Sequence, residues 1–232
     1  DYRGLSLPAW GAGERYAPER YIWAVHTGVI AFPLIEFAVL VPNHPKAQQY
    51  LQAGLRAIAV HDDEYDGIVY RLRSDAPVYP GAELPYNQYA AIGRALLAAY
   101  KATGDADTLL RVTSLASRFK EGLRLSPDGG YTWDYSITNN VPEDLSHARL
   151  ELAFALDCAA AEIVFAAEDL ACFAQTLGKV LLIEPLPHTI AGTGEAPDQT
   201  ATPFYDRFSR FNASIRPVVF KAVNNISNAL PD

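Results

Sequence analysis

The sequence has no methionine and only two cysteines, Cys158 and Cys172, among 232 residues. Neither a CxxC pair nor the spacing of a zinc finger occurs, which excludes a disulfide framework and a cysteine-based metal site. Because methionine is missing even at position 1, we expect a processed or trimmed product, and removal of a signal peptide is one route to it.

Long apolar runs and blocks of basic residues are missing as well. The longest apolar stretch, residues 21–41, is interrupted by His26, Pro33 and Glu36, so no membrane span is expected. A formal net charge of −8 without a Lys/Arg block argues against nucleic acid as a partner. Walker A, Rossmann, GxSxG and HExxH motifs do not occur. These absences leave a globular protein without a recognisable nucleotide or metalloprotease motif.

Apolar residues recur at helical spacing, and the alternation typical of strands is almost absent. The predicted helices cover residues 21–41, 45–61, 85–103, 105–125, 144–163 and 166–183. Asp105 and Asp144 suit N-caps, and Gly104 suits the end of the third helix. Pro33 is expected to kink or break the first helix, because it lacks a backbone donor. The pattern predicts an all-α fold.

The connections alternate between tight turns and long loops. Tight turns join the first helix to the second, the third to the fourth and the fifth to the sixth, which predicts three antiparallel hairpins. The long loops, 62–84 and 126–143, are then expected at one end, beside the starts of the odd-numbered helices. Those helices are the more apolar, so they are predicted to form an inner layer. We expect a rim segment at 1–20, a hairpin domain at 21–184 and an irregular C-terminal segment at 185–232.

Polar residues at the starts of the odd helices are the candidate catalytic residues. They are His26, Tyr86, Asn87, Glu143, Asp144 and His147. All are expected at the end that carries the long loops, where binding and catalysis concentrate. Glu143 and Asp144 have the alternative of capping the fifth helix, and His147 that of pairing with Glu143 or Glu151. A neutral His147 is expected, because a helix N-terminus disfavours the imidazolium. One histidine and two glutamates on a single helix, here His147 with Glu143 and Glu151, are a weak metal-ligand set, and no metal is predicted there.

Aromatic and arginine side chains are concentrated in the same loops. The candidate substrate-binding residues are Tyr131, Trp133, Tyr135, Arg149, Arg71 and Arg73. Aromatic faces stack on sugar rings, and arginine pairs with carboxylates. The alternatives are that the rings hold the loops down and that the arginines pair with the acidic stretch 62–66, with Asp75 or with Glu83. That stretch offers a calcium site, but it lacks EF-hand spacing, so a solvated loop without a cofactor is preferred.

Three strings mark the ends of the long loops: LPYNQY at 84–89, YTWDY at 131–135 and EDLSHA at 143–148. With the hairpin pattern, residues 10–185 resemble part of an alpha/alpha toroid, the helical-hairpin barrel of many polysaccharide lyases, sugar epimerases and glycoside hydrolases. The resemblance implies a catalytic cleft at the N-terminal ends of the inner helices. Three hairpins are half of the usual six, which leaves a partial barrel or an open array as alternatives.

The resemblance implies a carbohydrate-active enzyme that acts on a uronate-containing polysaccharide by lyase or epimerase chemistry. Such an enzyme needs a base, here His147 or His26, and a second proton-transfer group, here Tyr86 or Tyr135. Asn87 and Arg149 would neutralise the carboxylate of the enolate-like intermediate. One alternative is a glycoside hydrolase, with Glu143 or Asp144 as the general acid and a second carboxylate such as Asp134 or Asp66 as the base. The other is a non-enzymatic binding or assembly module. A polysaccharide partner and the scarcity of cysteine and methionine together predict a periplasmic or extracellular protein.

Overall fold

The computed structural model describes residues 1–13, 17–195 and 202–229. Contacts between Cα atoms divide the chain into two compact units, Asp1–Phe119 and Lys120–Asp232. The boundary between the units falls inside a helix. The sequence pattern instead predicts one domain across residues 21–184.

The helices are α1 (Ala24–Leu40), α2 (Ala47–Ala59), α3 (Tyr86–Thr103), α4 (Ala106–Glu121), α5 (Leu145–Ala160), α6 (Ala167–Val180) and α7 (Ile215–Ala229). Two 3₁₀ helices cover Asp62–Glu64 and Thr202–Phe208. A short antiparallel ribbon joins β1 (Arg124–Leu125) to β2 (Tyr131–Thr132). The first six helices match the six predicted ones to within a few residues, and the predicted all-α class is confirmed.

In the first unit, α1 packs against both α2 and α3. The rings of Phe37 and Tyr50 meet at 5.4 Å where α1 ends and α2 begins, as in an antiparallel hairpin. Gly28 of α1 lies so close to α3 that a Cβ there would stand 2.2 Å from the carbonyl carbon of Ala91. One turn further along both helices, the Arg94 guanidinium lies 4.0 Å from the centre of the Phe32 ring. The helices α1 and α3 are therefore parallel neighbours.

Most of α3 is buried, whereas α2 and α4 each bury one stripe. Gly104 ends α3 in the left-handed conformation, with φ of 72°, as its position in the sequence predicts. The chain then returns in α4, and the rings of Tyr86 and Phe119 meet at 5.4 Å. In this unit the odd helices are the more buried, as the sequence indicates.

Pro33 does not break α1, which runs through it from Ala24 to Leu40. A proline at this position leaves the carbonyl of Val29 without its helical donor. Val29 is half exposed, so water can reach that carbonyl. The helix therefore continues where the sequence allowed a break. Within the described ranges, no helix combines the length and apolarity that crossing a membrane requires.

In the second unit, α6 packs against α5, the ribbon, the second 3₁₀ helix and α7. The sequence pattern predicts α6 outside the layer of odd-numbered helices, and in the structure the C-terminal segment packs on α6. That segment was expected to be irregular, yet it contains both Thr202–Phe208 and α7. Ile215, Val219 and Ala222 form the buried stripe of α7 at helical spacing. Pro217 lies in the first turn, where a helix tolerates it.

Candidate functional site

The start of α5 is fixed by Asp144, which has extended backbone angles and acts as the N-cap. Its Oδ1 accepts hydrogen bonds from the backbone N–H of His147 at 2.9 Å and from the Ser146 hydroxyl at 2.5 Å. Its Oδ2 lies 2.6 Å from Nδ1 of the His147 ring. One carboxylate thus caps the helix and orients an imidazole. Asp144 is therefore both the helix cap that the sequence allowed and a member of the candidate site.

The His147 ring is the accessible part of this site, since 44% of its side chain is exposed. Asp144 holds Nδ1, and among the described residues no hydrogen bond to Nε2 is found. The Tyr135 ring lies beside it, with ring centres 5.8 Å apart. This arrangement leaves Nε2 as the nitrogen that can exchange a proton with a bound molecule.

The hydrogen bond to Asp144 raises the pKa of His147 above its usual value, and partial burial only offsets part of that effect. Burial of Asp144 favours its neutral form, but hydrogen bonds from His147 and Ser146 outweigh it and hold the pKa of Asp144 low. The expectation of a suppressed imidazolium is therefore wrong. A carboxylate at 2.6 Å acts more strongly on the ring than the partial charges of the helix terminus.

Behind this pair lie two fully buried carboxyl groups, Glu143 and Glu151. Glu143 Oε1 accepts from the backbone N–H of Asp144 at 2.9 Å, and Glu151 Oε2 accepts from Trp133 Nε1 at 2.5 Å. Among the described residues, no other group donates to the remaining oxygens, Glu143 Oε2 and Glu151 Oε1, so a hydrogen bond between the two side chains requires that one carboxyl group be protonated. Two adjacent carboxylates need either a shared proton or a cation between or beside them.

Burial raises the pKa of Glu151 well above its usual value, and the neighbouring charge of Glu143 raises it further. Burial also raises the pKa of Glu143, while hydrogen bonds from Glu151 and from the Asp144 backbone oppose that rise. Of the two carboxyl groups, Glu151 is therefore the one whose neutral form the fold favours more. Glu143 Oε1 lies 3.9 Å from His147 Nδ1, which is longer than the 2.6 Å between Nδ1 and Asp144 Oδ2.

The aromatic residues of the preceding loop have different positions. Trp133 is only 1% exposed and packs edge-on against Phe173 of α6, so it is a buried part of the site and not an exposed stacking surface. Tyr131 donates its hydroxyl hydrogen to Asp169 at 2.9 Å. Of the three predicted aromatic residues, Tyr135 alone has its ring against His147 in the structure. Arg149 is exposed on α5, two residues after His147.

The start of α5 is also held from the C-terminal side. The backbone of residues 188–190 pairs with it, through Leu145 N–H to His188 O and Ile190 N–H to Glu143 O, each at 2.9 Å. The buried Tyr205 hydroxyl donates to the carbonyl oxygen of Leu145. These contacts, which local sequence does not reveal, fix the position of the acidic residues.

The other predicted catalytic residues lie in the first unit. His26 is half buried near the start of α1, and burial lowers its pKa. Tyr86 and Asn87, in the first turn of α3, are 2% and 4% exposed. The side-chain oxygen of Asn87 has no hydrogen-bond partner among the described residues. Tyr86 and Asn87 are thus part of the helical core in this unit.

The predicted binding arginines of the first unit pair with the acidic stretch. Arg71 Nε lies 2.7 Å from Asp66, and Arg73 forms ion pairs with Asp63 and Asp75. Asp62 pairs with Arg111 at 2.5 Å. The alternative of pairing within the loop is therefore what the structure contains. The carboxylates of 62–66 that would bind calcium already have cationic or hydroxyl partners.

A buried polar network in the first unit was missed by the sequence analysis. Glu64 accepts from the Tyr21 hydroxyl at 2.6 Å and lies 2.6 Å from His61 Nδ1, while His61 Nε2 lies 2.8 Å from the Thr27 hydroxyl. The order hydroxyl, imidazole, carboxylate is that of an activated nucleophile. However, Thr27 is fully buried, and the adjoining cavity of about 10 Å³ holds no more than a water molecule. The network ties the loop after α2 to α1.

The site at the start of α5 therefore consists of an exposed imidazole, its carboxylate and a buried carboxyl pair. Among the described residues, Glu143, Asp144 and His147 are the one set of three whose potential metal-ligand atoms lie within 4.8 Å of one another. Comparison with known proteins adds no identity, because no family model, curated protein or solved structure matches this chain significantly.

Proposed function

We propose that the chain is a carbohydrate-active enzyme that acts on a uronate-containing polysaccharide by lyase or epimerase chemistry. The observation that carries the proposal is the Asp144–His147 pair, with Nδ1 held at 2.6 Å and a half-exposed ring. A base held by a carboxylate on one side and open on the other is suited to proton transfer. The parallel packing of α1 and α3 supports the toroid-like hairpin array as the scaffold.

In the proposed reaction, His147 Nε2 takes the proton from the carbon next to the sugar carboxylate. The C–H bond breaks, an N–H bond forms, and the electron pair moves into the carboxylate as an enolate. Asp144 stabilises the imidazolium that results. The guanidinium of Arg149 is the nearest arginine along α5 to pair with the developing charge of the substrate.

The second half of the reaction separates the two chemistries. In a lyase, the electron pair expels the glycosidic oxygen from the neighbouring carbon. The leaving oxygen takes up a proton, and the sugar that remains is unsaturated. In an epimerase, a proton returns to the same carbon from the opposite face. Tyr135, whose ring lies against His147, is the phenol that we assign to that second proton transfer.

The hydrolase alternative has less support from the site. It requires two carboxyl groups that face one sugar bond, separated by roughly 5–9.5 Å. Glu143, one of the two candidate acids, is fully buried, and Asp134, one of the two candidate bases, is 7% exposed and pairs with Arg124 at 2.8 Å. Both are buried, so neither faces an open cleft as placed. A periplasmic or extracellular location follows as part of the proposal, because polysaccharide substrates are found there.

The test is to incubate the tag-free chain with uronate polysaccharides that differ in their uronic acid. A lyase forms an unsaturated product that absorbs in the ultraviolet, and an epimerase incorporates deuterium from D₂O at the carbon next to the carboxylate. Release of reducing ends without either signal would contradict the proposal. So would the absence of every signal across the set.

The same assay tests the role of His147. His147→Ala is expected to abolish turnover while the thermal midpoint shifts by only a few degrees, since the ring is half exposed. His44→Ala, at an exposed histidine in the turn between α1 and α2, is the control and retains full activity. Full activity of His147→Ala would remove His147 from the mechanism.

A further inference from the structure

The carboxyl groups at the start of α5 outnumber the cationic side chains bonded to them. Glu143, Asp144 and Glu151 contribute three carboxyl groups, and among the described residues His147 alone forms an ion pair with any of them. Trp133 donates a neutral N–H to Glu151. Glu143 Oε2 and Glu151 Oε1 have no donor among the described residues unless one of these two carboxyl groups is itself protonated. Buried negative charge of this kind is stabilised by a proton or by a metal cation.

We propose that Glu143, Asp144 and His147 bind a divalent transition-metal cation, for which Zn²⁺ is the probe. The inference goes beyond the proposed function, because binding of the cation requires no substrate. The three residues come from one helix start, which the N-cap bond of Asp144 and the pairing with residues 188–190 hold in place. Glu143, fully buried with an unpartnered oxygen, distinguishes this cluster from an ordinary exposed acidic group.

The distances between the ligand atoms are close to those that a small cation needs. His147 Nδ1 lies 2.6 Å from Asp144 Oδ2 and 3.9 Å from Glu143 Oε1. Ligand atoms on one Zn²⁺ stand about 3.3 Å apart in tetrahedral coordination, since each bond is about 2.0–2.2 Å long. The shorter distance must widen by about 0.7 Å, and the longer one must shorten by about 0.6 Å. The half-exposed His147 ring is free to make that adjustment.

The donor set selects the class of cation. One imidazole nitrogen and two carboxylate oxygens suit a borderline cation such as Zn²⁺, whereas Ca²⁺ and Mg²⁺ prefer oxygen ligands alone. Affinity for such a site rises from Mn²⁺ to Cu²⁺ and falls again at Zn²⁺. The exposed side of His147 leaves room for water as a further ligand. Glu151 and Trp133 lie behind Glu143 and provide the outer support that orients a metal-binding carboxylate.

The cation would replace the proton that Asp144 and His147 share. Metal and proton therefore compete for Nδ1. A cation on the ring also prevents His147 from accepting a proton from a substrate. The metal-loaded chain is then expected to be inactive in the proton abstraction proposed above.

The experiment is isothermal titration of Zn²⁺ into the tag-free, EDTA-treated full chain at neutral pH. One Zn²⁺ per chain is expected, with Ca²⁺ and Mg²⁺ at least tenfold weaker. His147→Ala, Asp144→Asn and Glu143→Gln are each expected to weaken Zn²⁺ binding at least tenfold. His44→Ala and His188→Ala, at histidines outside the cluster, leave it unchanged.

Circular dichroism of each variant shows whether the helices persist. Should His147→Ala lose its fold, Asp144→Asn decides the question, because asparagine retains the N-cap. Absence of saturable Zn²⁺ binding overturns the proposal and assigns a proton alone to the carboxyl pair. Binding that survives Asp144→Asn or Glu143→Gln, or that disappears in His44→Ala or His188→Ala, overturns it equally. None of these outcomes depends on the polysaccharide assay.

Discussion

At the scale of single residues, Asp144 combines two roles that usually belong to different side chains. Its Oδ1 closes the first turn of α5, and its Oδ2 holds the His147 ring. An asparagine at this position keeps the first role and loses the charge needed for the second. A pair of substitutions can therefore separate stability from electrostatics.

Asp144→Asn is expected to leave the stability almost unchanged while the pKa of His147 falls towards its usual value, since the carboxylate is the main cause of the rise. Asp144→Ala also loses the cap and should lose about 1 kcal/mol of unfolding free energy. NMR titration of the His147 ring and urea unfolding measure the two effects. An unchanged His147 pKa in Asp144→Asn would contradict the assignment.

A second residue-scale prediction concerns Glu151, whose pKa is raised in the fold by burial and by Glu143. The folded state then binds a proton that the unfolded state releases above about pH 4.5. This contribution to stability is complete below that pH and is lost as the pH rises through the folded-state pKa. The other titratable groups around Glu151 are Glu143, Asp144 and Tyr205.

Glu151→Gln keeps the shape and the acceptor for Trp133 but does not titrate. Relative to the unchanged chain, the variant should gain stability as the pH is raised from about 5 to about 8. Urea unfolding at the two pH values measures the difference. A constant difference would mean that Glu151 does not hold the proton.

At the scale of elements, the closest helix packing in the first unit depends on Gly28. A Cβ there would meet the backbone of Ala91 at 2.2 Å, and backbone atoms cannot yield as a flexible side chain does. The contact sets how near α1 can lie to α3. It requires the smallest residue at this one position of α1.

Gly28→Ala is therefore expected to cost about 1–3 kcal/mol of unfolding free energy, despite the better helix propensity of alanine. Val29→Ala, at a half-exposed neighbour on the same helix, should stay within about 0.5 kcal/mol of the unchanged chain. Urea unfolding of both variants provides the comparison. Equal stability of the two would show that the helices separate without cost.

At the scale of the whole molecule, the C-terminal segment completes the second unit. It covers α6, and through residues 188–190 and Tyr205 it holds the start of α5. The helix α7 presents Val219 to the interior, where it is 4% exposed, and the adjacent Phe220 to the outside, where it is 58% exposed. These neighbours form a matched pair for testing the packing.

Val219→Asp is expected to cost at least about 3 kcal/mol, because it buries an unpaired charge. Phe220→Asp should cost less than about 1 kcal/mol. Thermal unfolding of the full chain, monitored by circular dichroism, compares the stability of the two variants. A larger effect at 220 than at 219 would place the buried face of α7 on its other side.

The sequence by itself determined the helices of this protein and the capping role of Asp144. Helices depend on contacts three or four residues apart and on residues such as Gly104 and Asp144 at their ends, so their signals are local. The same local reasoning brought Glu143, Asp144 and His147 together on one helix start. It assigned no element to residues 204–228, where no clear periodicity stood out, and α7 overlaps that range.

Only the tertiary structure decided which of these side chains are buried and therefore how they ionise. Trp133 lies 18 residues from Glu151 in the sequence, yet its N–H reaches that carboxyl group across the interior. Likewise, Thr27 meets His61 from another helix. Burial, ion pairing and pKa depend on groups that folding brings together from distant positions, and a periodic pattern contains no information about those distances.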